Sequence, residues 1–179
     1  AWVGMNTASS GQRFVYRVLE FIEKNGVSES ARQQFTSLAK HFDARNIGLN
    51  VESDGRSLRE ISTVFCDTPP IDVVHAILSD AGLESESIGL IEAVAEVFEQ
   101  KTAERVGFVV NRPGPPRRWV AFRVDDCSDI WDRLHTAAIL CGLSDVDWAP
   151  IAAVRERTAR DPSLVSVGFY GGEIRFSMV

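Results

Sequence analysis

The chain has 179 residues, 45% of them hydrophobic and 25% charged, with a formal net charge of −6. This describes one ordinary folded domain, residues 1–179, with a sizeable core, and it argues against a general nucleic-acid binder. No run approaches the roughly 18 apolar residues of a membrane span, and three cysteines without metal spacing fit a reduced, cytoplasmic setting.

The first predicted element is a hairpin over residues 1–22, turning at Ala8-Ser9-Ser10-Gly11. The strand-like start at Ala1-Trp2-Val3 and the absence of an opening Met suggest a piece of a longer protein. A helix is expected from Ser28, with Phe35, Leu38, Ala39 and Phe42 at helical spacing. His41 lies beside that stripe with no acidic or Cys partner at ligand spacing, so it reads as structural. A second hairpin runs from Asn46 to Cys66 and turns at Asp54-Gly55, a strong short-range turn signal. Pro70 opens the next helix and Gly82 stops it, with Val73, Val74, Ile77 and Leu78 on one side. His75 falls off that side and reads as solvated.

Another helix, from Ser87 to Glu104, leads into the third hairpin. Here Val106, Phe108 and Val110 alternate with Arg105, Gly107, Val109 and Asn111, and Val120, Phe122 and Val124 with Trp119, Ala121 and Arg123. Helices are predicted from Ser128 to Gly142 and from Ala149 to Asp161, followed by a fourth hairpin turning at Gly171-Gly172.

A glycine sits between two large apolar residues at Gly4, Gly48, Gly107 and Gly168, each time opening a hairpin. The successive spacings are 44, 59 and 61 residues, the mark of an array built from one supersecondary unit. Helices flank every hairpin, so the apolar strand face is expected under helices. The other face carries Asn50, Glu60, Ser62, Arg105, Gly107, Trp119, Arg123, Glu173 and Arg175, with Arg13 and Arg17 assigned to it in the first hairpin. An open sheet would leave that face in water. Closure into an antiparallel barrel of about ten strands would make it a lumen wide enough for a ligand.

Four hairpins separated by helices, a glycine in each first strand and a polar-aromatic second face resemble the soluble aromatic prenyltransferases of the αββα barrel type. The stretch NIGLNVESDGRSLREISTVFCDTPPIDVVHAILSDAGL looks most like one repeat of that family. The resemblance implies an α+β fold of repeated αββα units, closed into an antiparallel β-barrel with helices outside. Four repeats are visible where five are expected, and the first would be the one lacking. The implied activity is transfer of a prenyl group from an allylic diphosphate, such as dimethylallyl diphosphate, to a small aromatic acceptor, with Mg²⁺ possible and neither nucleic acid nor membrane as partner.

That chemistry needs cations around the leaving diphosphate, aromatic faces for the allylic cation and an acid near the acceptor. The resemblance therefore assigns Arg13, Arg17, Asn50, Ser62, Arg105, Trp119, Arg123 and Arg175 to substrate binding and Glu173 or Glu60 to catalysis. The alternative is a non-catalytic module of α/β hairpins that binds a small ligand or a partner protein. Asp125-Asp126-Cys127-Ser128-Asp129 spells a DDxxD metal motif. Its position between a strand and a helix start favours N-terminal capping instead.

Overall fold

The computed structural model describes residues 47–53, 58–65, 68–111, 117–125, 127–158 and 161–179, together with Glu20, Lys24, Glu29 and Gln33. The strands are β1 (Ile47–Ser53), β2 (Leu58–Phe65), β3 (Arg105–Asn111), β4 (Arg117–Arg123), β5 (Leu164–Tyr170) and β6 (Glu173–Met178). Helices α1 (Ile71–Asp80) and α2 (Ser85–Val97) separate β2 from β3, and α3 (Ile130–Leu140) and α4 (Asp145–Thr158) separate β4 from β5. The fold is α+β. Among the described residues six strands form one antiparallel sheet in the order β1-β2-β3-β4-β5-β6. Among the described residues this sheet has six strands and is open, with β1 and β6 as edges.

Period-two patterning carries through to burial. Val106, Val120, Phe122, Val124, Val165 and Val167 are buried on one sheet face. They share a single core with Val74, Ile77 and Leu78 of α1, Ile91 and Val94 of α2, and Leu134 and Ala137 of α3. An antiparallel sheet with one face under helices explains the alternation, because only the covered face must be greasy. Full burial of a side chain such as Phe122 stabilises by about 1.5–3 kcal/mol.

Three helices end alike. Gly82 N–H donates to the Ser79 carbonyl and Leu83 N–H to the Leu78 carbonyl, both at 2.9 Å. Gly142 and Leu143 repeat this pair of bonds after α3, and Glu99 and Gln100 after α2. This is the Schellman arrangement, which places its turning residue in the left-handed region: φ is +74° at Gly82, +87° at Gly142 and +54° at Glu99. The β5–β6 turn has φ of +61° and +92° at Gly171 and Gly172, as a two-residue hairpin requires.

Several predicted bounds shift. Glu20, within the expected second strand of the first hairpin, is helical and pairs with Lys24 one turn on, at 2.7 Å. The sequence around Glu20 carries both β-branched residues and apolar residues three and four apart, so the strand and helix signals compete there. α2 stops at Val97 instead of running to Glu104, because Glu99 turns the chain and Thr102 bridges to Pro70. α4 starts at Asp145, four residues before the expected Ala149. A reciprocal capping box at Ser144 and Asp147 starts the helix early enough to leave Pro150 inside it. The rest of the first predicted hairpin, His41, and residues 54–57 and 112–116, where the second and third hairpins are expected to turn, lie outside the described residues.

Candidate functional site

Residues directly opposite one another in an antiparallel pair lie on the same sheet face. Gly48 is opposite Val64, Val64 opposite Gly107, Gly107 opposite Trp119, Trp119 opposite Gly168, and Gly168 opposite Arg175. The neighbouring row runs Asn50, Ser62, Val109, Arg117, Tyr170, Glu173. Arg105 falls one row beyond the glycines, opposite Ala121, and Arg123 beyond that, opposite Leu164. Glu60 stands opposite Glu52 and Asn111. The register thus gathers Asn50, Glu60, Ser62, Arg105, Trp119, Arg123, Glu173 and Arg175 on one face, the one away from the helices. Arg13 and Arg17 lie outside the described residues.

The glycines on this face make room for rings. A Cβ at Gly107 would sit 2.1 Å from Trp119 Cε2, and one at Gly168 would sit 2.4 Å from Tyr170 Cε2. Neither ring could lie where it does over any other residue type. Trp119 therefore rests on the backbone of β3 and Tyr170 on that of its own strand.

Two guanidiniums meet the Tyr170 ring. Arg175 Cζ is 4.7 Å from its centroid and Arg117 Cζ is 5.4 Å away, both within cation–π range. Glu173 Oε2 accepts from Arg175 Nη2 at 3.5 Å. Sequence reasoning missed Arg117 and Tyr170. Both carried the period-two signal, two residues before Trp119 and two after Gly168, but Arg117 was hidden by its neighbour Arg118 and Tyr170 by the turn that follows.

Arg123 is differently engaged. Its Nη2 and Nε donate to the two carboxylate oxygens of Glu104, at 2.9 and 3.3 Å, and its Nη1 to Asp125 at 3.4 Å. The hydrogen bond from Arg123 holds the Glu104 carboxyl below the usual carboxylate range. This ion pair competes with any anion that would approach the Arg123 guanidinium. In the DDxxD stretch Asp129 occupies the N-cap of α3 in left-handed geometry without a side-chain cap bond, Asp125 accepts from Arg123, and Asp126 lies outside the described residues. Among the described residues no three His, Cys, Asp or Glu side chains converge on a possible metal position.

The arrangement offers two guanidiniums for an anion, two aromatic faces for an electron-poor or flat apolar group, and a carboxylate beside them. No protein-family model matches the sequence, and no curated protein matches it.

Proposed function

We propose that this chain transfers a prenyl group from an allylic diphosphate to a small aromatic acceptor on the Trp119–Tyr170 face. The observation that carries the reading is the convergence of Arg117 and Arg175 on Tyr170 beside Trp119, on a face floored by glycine. Arg117 and Arg175 hold the diphosphate. The allylic C–O bond breaks and its electron pair leaves with the diphosphate. The π face of Trp119 steadies the allylic cation until the acceptor ring attacks it, and Glu173 takes the ring proton.

In this reading the six strands are an arc of a barrel built from repeated hairpin and helix-pair units. A shift of 60 residues supports the repeat. It carries Val74, Ile77, Ala81 and Ile88 onto Leu134, Ala137, Cys141 and Trp148, all buried, and Gly82 onto Gly142 at the same helix stop. It also carries His75 onto His135, and each bonds an acidic residue of the following helix at 3.0 Å, Glu92 and Asp145.

The test is calorimetric titration of dimethylallyl diphosphate, with and without Mg²⁺, into the 179-residue chain. Micromolar binding is expected, weakened about tenfold or more by Arg117→Gln and by Arg175→Gln, as loss of a charge-assisted contact predicts. Arg123→Gln should leave it unchanged. Absence of binding under both conditions would overturn the reading. One observation favours a second reading, a non-catalytic ligand- or partner-binding module. The side chains of Arg175 and Glu173 are 63% and 73% exposed, which suits a wet surface better than an enclosed reaction.

A further inference from the structure

The opposite, helix-covered face of the same sheet ends in a cleft of about 650 Å³ beside the β5–β6 turn. Register places Arg118, Phe169 and Ile174 in one row across β4, β5 and β6, and all three line it. Leu83 and Leu90, from the α1–α2 loop and α2, and Leu140 at the end of α3 supply the other apolar walls. Ile174 and Leu140 remain 41% and 43% exposed, so the cleft is open to a visitor.

Arg118 is the unusual member. It sits on the greasy side of the sheet, half-buried, and donates from Nε to the Ala81 carbonyl at 2.8 Å and from Nη2 to the same oxygen. A guanidinium has five N–H groups, Arg118 lines the cleft, and among the described residues no other acceptor takes them. Among the described residues no carboxylate lies within ion-pair distance of it. Burial without a compensating charge pushes its pKa below the usual arginine value. A half-buried cation beside apolar walls is poorly solvated and unneutralised, and an anion with an apolar body corrects both faults. Glu84 and Glu86 also line the cleft, and their charge opposes a di- or triphosphate far more than a single carboxylate.

We propose that this cleft is a binding site for an apolar-bodied monocarboxylate, its carboxylate on Arg118 and its body between Leu90, Leu140, Phe169 and Ile174. The site stands independently of prenyl transfer, since the Tyr170 row lies on the other side of the sheet.

The probe is 2-naphthoate, titrated calorimetrically at neutral pH into the 179-residue chain, with neutral 2-naphthamide as its isostere. Saturable one-site binding of the acid is expected, with the amide at least about tenfold weaker. Arg118→Gln should weaken the acid by a similar factor. Because Arg118 also holds the Ala81 carbonyl, Leu140→Trp, a change at an exposed helix end that fills the cleft, gives a second reading in a protein whose fold circular dichroism verifies. Leu140→Trp should abolish binding, and Arg175→Gln on the opposite face should leave it unchanged. Absence of binding, equal affinity for acid and amide, indifference to Leu140→Trp, or loss in Arg175→Gln would each overturn the proposal.

Discussion

Gly107→Ala tests the central feature of the candidate site, the seating of Trp119 on glycine. The new Cβ would meet Trp119 Cε2, Nε1 and Cζ2 at 2.1, 2.3 and 2.4 Å. Ordinary carbon contacts lie at about 3.5–4.0 Å, so the ring must retreat by about 1.5 Å. Overfilling of this kind costs about 1–3 kcal/mol. Against it, alanine replaces a glycine whose backbone freedom in a strand interior costs about 0.5–1 kcal/mol. The net expectation is a loss of about 1–2 kcal/mol. With Trp119→Ala in place the clash is gone and only the backbone gain remains, so Gly107→Ala should then stabilise by about 0.5–1 kcal/mol. The coupling between the two sites is about 2 kcal/mol, well above the additivity error of about 0.3–0.5 kcal/mol. Urea unfolding followed by far-ultraviolet circular dichroism on all four corners of the cycle measures it. Equal effects of Gly107→Ala in both backgrounds would refute the seating of the ring and with it the aromatic floor of the site.

The same geometry sets four further outcomes. Gly142→Ala has empty space around its Cβ but φ of +87°, so it should cost about 1–2 kcal/mol in left-handed strain alone. Gly89→Ala, exposed within α2 with nothing near its Cβ, should instead stabilise by about 1 kcal/mol, and thermal melts of the pair should move in opposite directions. Because Arg123 depresses the folded-state pKa of Glu104, the pair contributes stability above the unfolded carboxyl pKa and loses it as pH falls through the depressed value. Glu104→Gln should therefore flatten the acid limb of a urea-midpoint against pH curve, and an unchanged limb would show the pair to be inert. Burial pushes the Cys141 thiol up to about 11, while Cys127 is only half-buried. Peptide mapping after iodoacetamide at pH 8 should thus find Cys127 alkylated before Cys141, the thiolate being the reactive form.

Sequence alone determined the parts of this protein that are governed by neighbours along the chain. Period-two alternation placed Val106, Val120 and Phe122 on the covered face and Arg105, Trp119 and Arg175 on the other, because a strand inverts its side chains at each residue. Gly82, Gly142 and Gly171-Gly172 marked their turns, because each needs a backbone angle that other residues resist. Helix bounds were less legible where the deciding partner was distant or the local signals conflicted. α2 ends through Glu99, a residue with no glycine-like mark, and α4 begins at a capping box that Pro150 obscured. Only the tertiary structure decided which charges on the mixed face are committed. Arg123 and Arg175 look alike in sequence, each an arginine on a second strand. Yet Arg123 meets Glu104, which the β3 start delivers to it across the sheet, while Arg175 meets the ring of Tyr170 across the β5–β6 pair. Arg118 and Arg117 differ by one residue, and the pleat sends them to opposite faces, one to a buried carbonyl and one to an aromatic ring. Such assignments depend on register and on the strand next door, and no residue announces its cross-strand partner from within its own stretch of chain.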